Sequence, residues 1–384
     1  MVNFPQKSLK NQNMECKNIP ELQYSNFSRQ FHFKKEAERI PLEGSIEVTS
    51  HCNLDCRHCY IKDNSKKNEL TYHECCRIID ELTDAGCLWL TFTGGEPFTR
   101  KDFLDIYTYA KRKGLLIVIF TNGTLITQEI ADYLKEFKPF YLEISLYGMS
   151  RETYNNVTGS PYNYDRCMDA ISLFMERKIL FNLKSVLIKQ NKHEISKMKD
   201  FAKNIGVDFR VDLSINPRID GGKGPCDVRL TPEEGVSMEM ADEEVRREWE
   251  EALMENGKKE DSDPNLIFSC GAGRNLFNID AKGNLQVCNM IRYINYDLKH
   301  GSFKKGWNLF PEILSRRKKE DNKCKTCTVS EFCTICPGWS MMEYGDEEAI
   351  VEYACKVAHL RAKAICNSSP RKDMEKHGKN YKIF

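Results

Sequence analysis

His51-Cys52-Asn53-Leu54-Asp55-Cys56-Arg57-His58-Cys59-Tyr60 places three cysteines in the spacing C-x-x-x-C-x-x-C. The run supplies three thiolates on one tight loop and omits a fourth. A structural zinc site is closed by four ligands, whereas an iron–sulfur cube held by three thiolates keeps one iron open to a substrate or cofactor. Asp55 and His58 lie inside the loop, where they either orient it through hydrogen bonds or stand exposed.

Outward from this loop, from Gly44 to Leu213, short apolar runs rich in β-branched residues alternate with amphipathic stretches. That is the βα repeat of a parallel sheet or barrel. It predicts strands near 45–49, 88–93, 115–121, 140–146, 180–187 and 208–213, and helices over about 71–85, 101–113, 127–137, 163–178 and 193–206. Strand faces that pack under helices are apolar, so a polar face is expected to line a cavity. Such faces hold Glu47 and Thr49, then Tyr141, Glu143 and Ser145, then Asn182 and Lys184, then Arg210, Asp212 and Ser214. A structural ion pair, Glu143 with Lys184, is the alternative reading.

Thr93-Gly94-Gly95-Glu96-Pro97 follows the second predicted strand. Glycines at a strand's carboxyl end let a ligand approach the backbone, and Glu96 can accept from an ammonium group. Ser145 ends the fourth strand in Ile144-Ser-Leu-Tyr-Gly148, as a ligand contact or as a strand-end cap. Thr121-Asn122-Gly123 reads as a generic turn and receives no ligand.

The carboxyl third holds a second cysteine system: Cys270, Cys288, Cys324-x-x-Cys327, Cys333-x-x-Cys336 and Cys355. Between the first two, residues 276–287 alternate apolar and polar side chains around Lys282-Gly283, the pattern of a β-hairpin. A pair of zinc sites is the competing reading of these C-x-x-C pairs.

The first motif, the Gly-Gly-Glu-Pro run and Ser145 together resemble the radical S-adenosylmethionine (SAM) superfamily. The later cysteines resemble its SPASM domain, which binds two auxiliary [4Fe-4S] clusters. The likeness covers about residues 44–360. It implies an α/β fold, a partial (β/α)6 TIM-like barrel followed by a SPASM iron–sulfur domain of a β-hairpin plus helices. By the same resemblance Cys52, Cys56 and Cys59 hold the SAM-cleaving cluster, while Gly94, Gly95, Glu96 and Ser145 hold SAM. Cys324, Cys327, Cys333 and Cys355 hold an outer auxiliary cluster, and Cys270, Cys288 and Cys336 an inner one, for three [4Fe-4S] clusters in all. The inner set is one thiolate short: either that iron stays open for a substrate thiolate, or Cys226 on the Gly-Pro-Cys-Asp loop closes it.

Two residues separate Cys333 from Cys336 where the common SPASM pattern has three. The shorter form resembles a subgroup that includes peptide maturases. The implied activity is oxidative modification of a ribosomally made precursor peptide, a thioether or carbon–carbon cross-link made through a 5′-deoxyadenosyl radical. Flavodoxin or ferredoxin is the implied reductant. Residues 1–40 look too short for a leader-recognition domain, so a separate protein or the barrel itself would serve. A formylglycine-forming sulfatase maturase shares the architecture, but Ser145-Leu-Tyr-Gly departs from the Ser-x-Asp-Gly usual there. A non-enzymatic electron carrier explains the cysteines without explaining Gly-Gly-Glu-Pro.

Composition agrees with an ordinary globular chain: 384 residues, 41% hydrophobic, 29% charged, formal net charge +1. That balance gives no electrostatic case for nucleic acid or an anionic membrane. The amino-terminal stretch has no apolar signal-like segment, so the expected setting is cytoplasmic. Seventeen cysteines there read as metal ligands sooner than disulfides, with Cys16, Cys75, Cys76, Cys87, Cys167, Cys226 and Cys366 left over as small packed side chains. The expected division is an extension over 1–40, the barrel over 41–215, a linker with a surface helix over 216–265, the SPASM domain over 266–365 and a tail over 366–384.

Overall fold

Six parallel strands follow one another across a sheet in chain order: β1 Glu43–Thr49, β2 Trp89–Gly94, β3 Leu116–Thr121, β4 Tyr141–Ser145, β5 Phe181–Val186 and β6 Phe209–Asp212. The structure, a computed structural model, describes residues 24–62, 65–256 and 263–368. Cys16, most of the 1–40 extension and most of the 366–384 tail lie outside the described residues.

Three further strands extend the sheet beyond β1. β7 Leu276–Ile279 pairs parallel to β1, and β8 Asn284–Gln286 and β9 Asn295–Asp297 continue it antiparallel. The order β6-β5-β4-β3-β2-β1-β7-β8-β9 leaves β6 and β9 as edges, so the barrel is partial. The hairpin expected of a separate domain is thus a continuation of the barrel sheet. Its turn is set locally, because Asp280 Oδ1 accepts from the N–H groups of Lys282 and Asn284 at 2.9 Å and Gly283 takes φ +88°.

Helices α2 Tyr72–Asp84, α3 Phe103–Arg112, α4 Gln128–Glu136, α6 Asn163–Glu176 and α7 Ile195–Ile205 alternate with the strands, near their predicted positions. The first starts at a capping box in which Thr71 and Glu74 satisfy each other's backbone donors. The last stops at Gly206, in the left-handed conformation. Apolar residues of both layers meet in one core: Ile78, Ile79 and Leu82 of α2 and Ile106 of α3 join Leu90, Phe92, Ile117, Ile119, Leu142, Ile144 and Leu183 of the strands. Each such side chain, fully buried, contributes about 1.5–3 kcal/mol of transfer free energy. The alternate strand residues, Glu47, Thr93, Phe120, Glu143, Ser145 and Lys184, fall on the opposite, interior face.

Three parts of the chain depart from the sequence expectation. The extension is not wholly irregular, because α1 Tyr24–Ala37 lays Phe31 and His32 on the Trp89 ring at 6.3 and 4.8 Å between centroids. An unread helix, α5 Arg151–Thr158, follows β4 and is capped by Ser150. The linker carries α8 Pro232–Ala241 and α9 Glu243–Asn256, and α8 is integral to the fold. Val236 shares a core with Leu213, Leu230 and Val357, and Glu239 accepts two hydrogen bonds from Arg361 at 2.8 and 2.7 Å. Val357 and Arg361 belong to α13 Glu352–Ser368, which follows α10 Phe303–Trp307, α11 Phe310–Leu314 and α12 Pro337–Tyr344.

Candidate metal and cofactor site

The cysteine loop leaves β1 and is pinned from both sides. Asp55 N–H and Arg57 N–H donate to the carbonyls of Thr158 and Val157 at 2.9 and 3.0 Å, tying the loop to the end of α5. Glu69 Oε1 accepts from Thr49 Oγ1 at 2.9 Å and Ser50 N–H at 2.8 Å at the loop's start. The loop's far end is held by Tyr60, whose hydroxyl accepts from Asn289 Nδ2 at 3.2 Å.

Cys52, Cys56 and Cys59 are close enough to perturb one another. Burial pushes Cys52 up to about 11, burial and the neighbouring Cys59 and Cys52 push Cys56 well above the ordinary thiol range, and burial raises Cys59. Buried, mutually repelling thiols do not ionise unaided, whereas a metal centre deprotonates its thiol ligands outright. This donor set therefore fits a cationic cluster. His58 packs its ring 4.9 Å from that of Tyr147, and burial lowers its pKa to about 4, so it is neutral near pH 7.

Gly94 and Gly95 also make room for the cysteine loop. A Cβ on Gly94 would lie 2.2 Å from the Thr49 carbonyl oxygen, and one on Gly95 2.2 Å from that of His51. What approaches these glycines is the backbone of the cysteine loop, and Gly94 holds φ +138° to allow it. Gly95 N–H and Glu96 N–H complete the contact by donating to the Thr49 and His51 carbonyls at 2.8 and 2.9 Å.

Glu96 is 1% exposed, and its carboxylate accepts from Thr121 Oγ1 at 2.8 Å, Asn122 N–H at 2.7 Å and Phe98 N–H at 3.3 Å. Burial pushes its pKa up to about 7 against these three donors. A carboxylate offers about four acceptor positions, so one is left for an ammonium group. Asn122, which the sequence reading left as a turn, is the joint of the site. Its Nδ2 donates to Asn53 Oδ1 at 3.0 Å and approaches Cys52 Sγ at 3.8 Å, while its Oδ1 accepts from Thr124 Oγ1 at 2.7 Å. Nothing in an Asn-Gly dipeptide signals this; only its position after a barrel strand does. Ser145, 9% exposed, ends β4 two residues before Tyr147, whose ring packs on that of His58 in the cysteine loop.

The polar strand faces resolve individually. Lys184 pairs with Glu143 at 3.1 Å, the alternative that the sequence left open, and Thr49 is buried against Glu69. Glu47 takes both nitrogens of Arg292.

The carboxyl-terminal cysteines fall into two groups. Cys288, pushed up to about 12 chiefly by burial, feels Cys336 and Cys270, and Cys336 feels Cys270. Cys333 feels Cys324, Cys327 and Cys355, and Cys324 feels Cys327 and Cys355. The charges that act on Cys226 are Arg229, Glu343, Lys223 and Asp227, none of them a thiol. Among the described residues no three Cys, His, Asp or Glu side chains converge as tightly as a single ion requires.

Residues 46–202 match the family model of the Radical SAM superfamily. An "AdoMet-dependent heme synthase" of Methanosarcina barkeri is 26% identical over 320 residues, 78% of this chain and 90% of that protein. "Mycofactocin maturase MftC" of Mycobacterium tuberculosis is 25% identical over 308 residues, 75% of each. In fold, the chain is similar to Streptococcus suis SuiB bound to precursor peptide SuiA, with a TM-score of 0.65 at 17% identity over 90% of this chain and 84% of that one. No described helix is long and apolar enough to cross a membrane.

Proposed function

We propose that this chain, a radical SAM/SPASM enzyme resembling peptide maturases, oxidatively cross-links a ribosomally synthesised precursor peptide. The observation that carries the reading is the three-cysteine loop joined through Asn122 to the buried Glu96 carboxylate: Asn122 N–H donates to Glu96 at 2.7 Å and its Nδ2 lies 3.8 Å from Cys52 Sγ. The likeness to a maturase and to a peptide-bound fold supports the substrate class.

In this reading Cys52, Cys56 and Cys59 hold the SAM-binding [4Fe-4S] cluster, Cys324, Cys327, Cys333 and Cys355 the outer auxiliary one, and Cys270, Cys288 and Cys336 the inner one. When bound, SAM and its cluster would supply the radical chemistry for removing a substrate hydrogen atom, and clusters held by the later cysteines would supply a one-electron acceptor for the oxidative thioether or carbon–carbon bond formation. Glu96 offers its remaining acceptor position to the SAM ammonium, and Ser145 orients the ligand from the end of β4. Tyr60, through Asn289, keeps the first thiol set in register with the loop that bears Cys288. The inner set is one thiolate short, and in this reading its remaining iron stays open for a substrate thiolate, with Cys226 as the competing fourth ligand. A cytoplasmic setting, flavodoxin or ferredoxin as reductant and a separate leader-recognition protein complete the proposal.

The test is anaerobic incubation of the reconstituted chain with SAM, dithionite and candidate precursor peptides, taken from any short open reading frame found beside its gene. Release of 5′-deoxyadenosine with loss of two hydrogens from the peptide is expected. Iron-free protein containing zinc, inert toward SAM, would refute the assignment. A second reading, SAM-dependent tetrapyrrole synthesis, is favoured by the heme synthase likeness across most of both chains; conversion of a porphyrin in place of the peptide would establish it.

A further inference from the structure

The interior face of β4–β6 carries a charge arrangement that the cluster and SAM assignments leave unused. Glu143 Oε2 lies 3.1 Å from Lys184 Nζ and 3.3 Å from Arg210 Nη2, so one carboxylate oxygen faces two cations. Ser145 and Lys184 are partners in the β4–β5 ladder, and Lys184 and Arg210 in the β5–β6 ladder, which sets all three in one row across the face. Exposure rises along the row toward the open edge: the side chain of Lys184 is 21% exposed and that of Arg210 67%.

Asp212, the next residue on the same face as Arg210, accepts from Ser214 N–H at 2.7 Å and, among the described residues, forms no ion pair with either cation. Burial pushes Lys184 down to about 8 against the pull of Glu143, leaving it mostly protonated at neutral pH. Its ammonium also sits 3.3 Å from the centroid of the Phe120 ring, an interaction that requires the charged form. One oxygen of Glu143 is shared between two cations, so neither has a carboxylate to itself. Arg210 makes a single contact with Glu143 and keeps most of its planar fork exposed, the geometry that takes a second carboxylate. Ser145 stands two residues before Tyr147, whose ring lies 4.9 Å from that of His58 in the three-thiol loop.

We propose that Lys184 and Arg210, fixed by Glu143, form a binding site for a carboxylate of the substrate. The inference rests on the reading that the barrel interior receives the substrate, and it narrows the substrate to one that presents an acidic group beside the reacting position. The carboxylate is that of an acidic residue if the substrate is a peptide, and a propionate if it is a tetrapyrrole.

The experiment uses the full chain, reconstituted and SAM-loaded, and two matched pairs of probes. The first pair is a fluorescein-labelled peptide with a central Glu and the same peptide with Gln; the second is coproporphyrin III and its tetramethyl ester. Wild-type protein should bind one acidic probe roughly fivefold or more tighter than its neutral twin, the scale of about 1 kcal/mol for a partly exposed ion pair. Arg210→Met should abolish that preference and Arg210→Lys retain part of it, with SAM affinity unchanged in both. Arg210 is exposed, so its variants test the site even where Lys184→Met, which strips Glu143 of its buried partner, fails to fold. A preference confined to the porphyrin pair sustains the carboxylate site while removing the peptide reading. Absence of preference in both pairs overturns the site, as does a loss of SAM affinity in Arg210→Met that matches the loss of the probe.

Discussion

Arg292, on the loop after Cys288, clamps Glu47 inside the barrel, with Nη1 3.0 Å from Oε2 and Nη2 2.5 Å from Oε1. Glu47 is 3% exposed, and burial raises its pKa against the opposing charge of Arg292. A bidentate pair at this depth fixes where the carboxyl-terminal region sits on the sheet. Arg292→Met should therefore cost about 3–5 kcal/mol, because it leaves a carboxylate buried without a partner. Adding Glu47→Gln should recover most of the loss. Chemical denaturation of the cluster-free chain measures both, and a single variant as stable as wild type would contradict the account.

Glu96 predicts a pH signature. Its carboxyl is raised from 4.5 to about 7 by burial, so between those values the native state binds more protons than the unfolded one. The Glu96 contribution is then full below about 4.5 and lost as pH rises through about 7, a swing of about 3 kcal/mol at ~1.4 per unit. Wild type minus Glu96→Gln should show that downward slope. SAM affinity should run the opposite way, rising through pH 7 as the carboxylate forms and staying flat in Glu96→Gln. A SAM affinity with no pH dependence in this range would remove Glu96 from the ammonium contact.

The cysteine sets should separate by function. Three [4Fe-4S] clusters amount to about twelve irons per chain. Replacing Cys52, Cys56 and Cys59 together by Ala should abolish all 5′-deoxyadenosine formation. Replacing Cys324 and Cys327 should spare abortive SAM cleavage while eliminating product, with folding checked by circular dichroism. Cleavage by the first triple variant would refute the central assignment.

Cys226 should be dispensable to the inner cluster, since its neighbours are Arg229, Glu343, Lys223 and Asp227. Cys226→Ala should keep the iron content and the cluster spectrum of wild type, and Cys288→Ala should lose about four irons. A metal–sulfur distance near 2.3 Å to Cys226 in a reconstituted crystal would decide for a closed cluster.

Asn122 offers a test of the joint between cluster loop and cofactor loop. Hydrogen bonds to ligand sulfurs tune cluster potentials. Asn122→Ala removes the Nδ2 group that lies 3.8 Å from Cys52 Sγ, and the midpoint potential of that cluster should become more negative in an EPR-monitored titration. An unmoved potential would make Asn122 a packing residue only.

Much of this protein was legible in its sequence because the relevant signals are local. Alternation with period two and amphipathic stretches located the six barrel strands and their helices, since pleat and helical pitch act within a few residues. The three-cysteine loop and the later cysteine pairs were visible for the same reason: ligands on one loop are fixed by spacing. The reading of Lys184 with Glu143 as an ion pair was available because both lie on polar positions of strands expected to adjoin.

Tertiary structure decided what spacing could not. Residues 276–287 predict a hairpin, yet its pairing with β1 at the other end of the chain depends on contacts more than two hundred residues apart, such as Ser45 with Asn278 at 2.7 Å. That a side chain at Gly94 or Gly95 would meet the backbone of Thr49 or His51 is visible only in the fold. Asn122 looked like a turn, and its amide joins Asn53 and Cys52 to Glu96. The sequence alone determined which elements form and which cysteines are candidates, because those depend on neighbours along the chain. Only the fold decided which side chains share a buried volume, because desolvation and charge act through space.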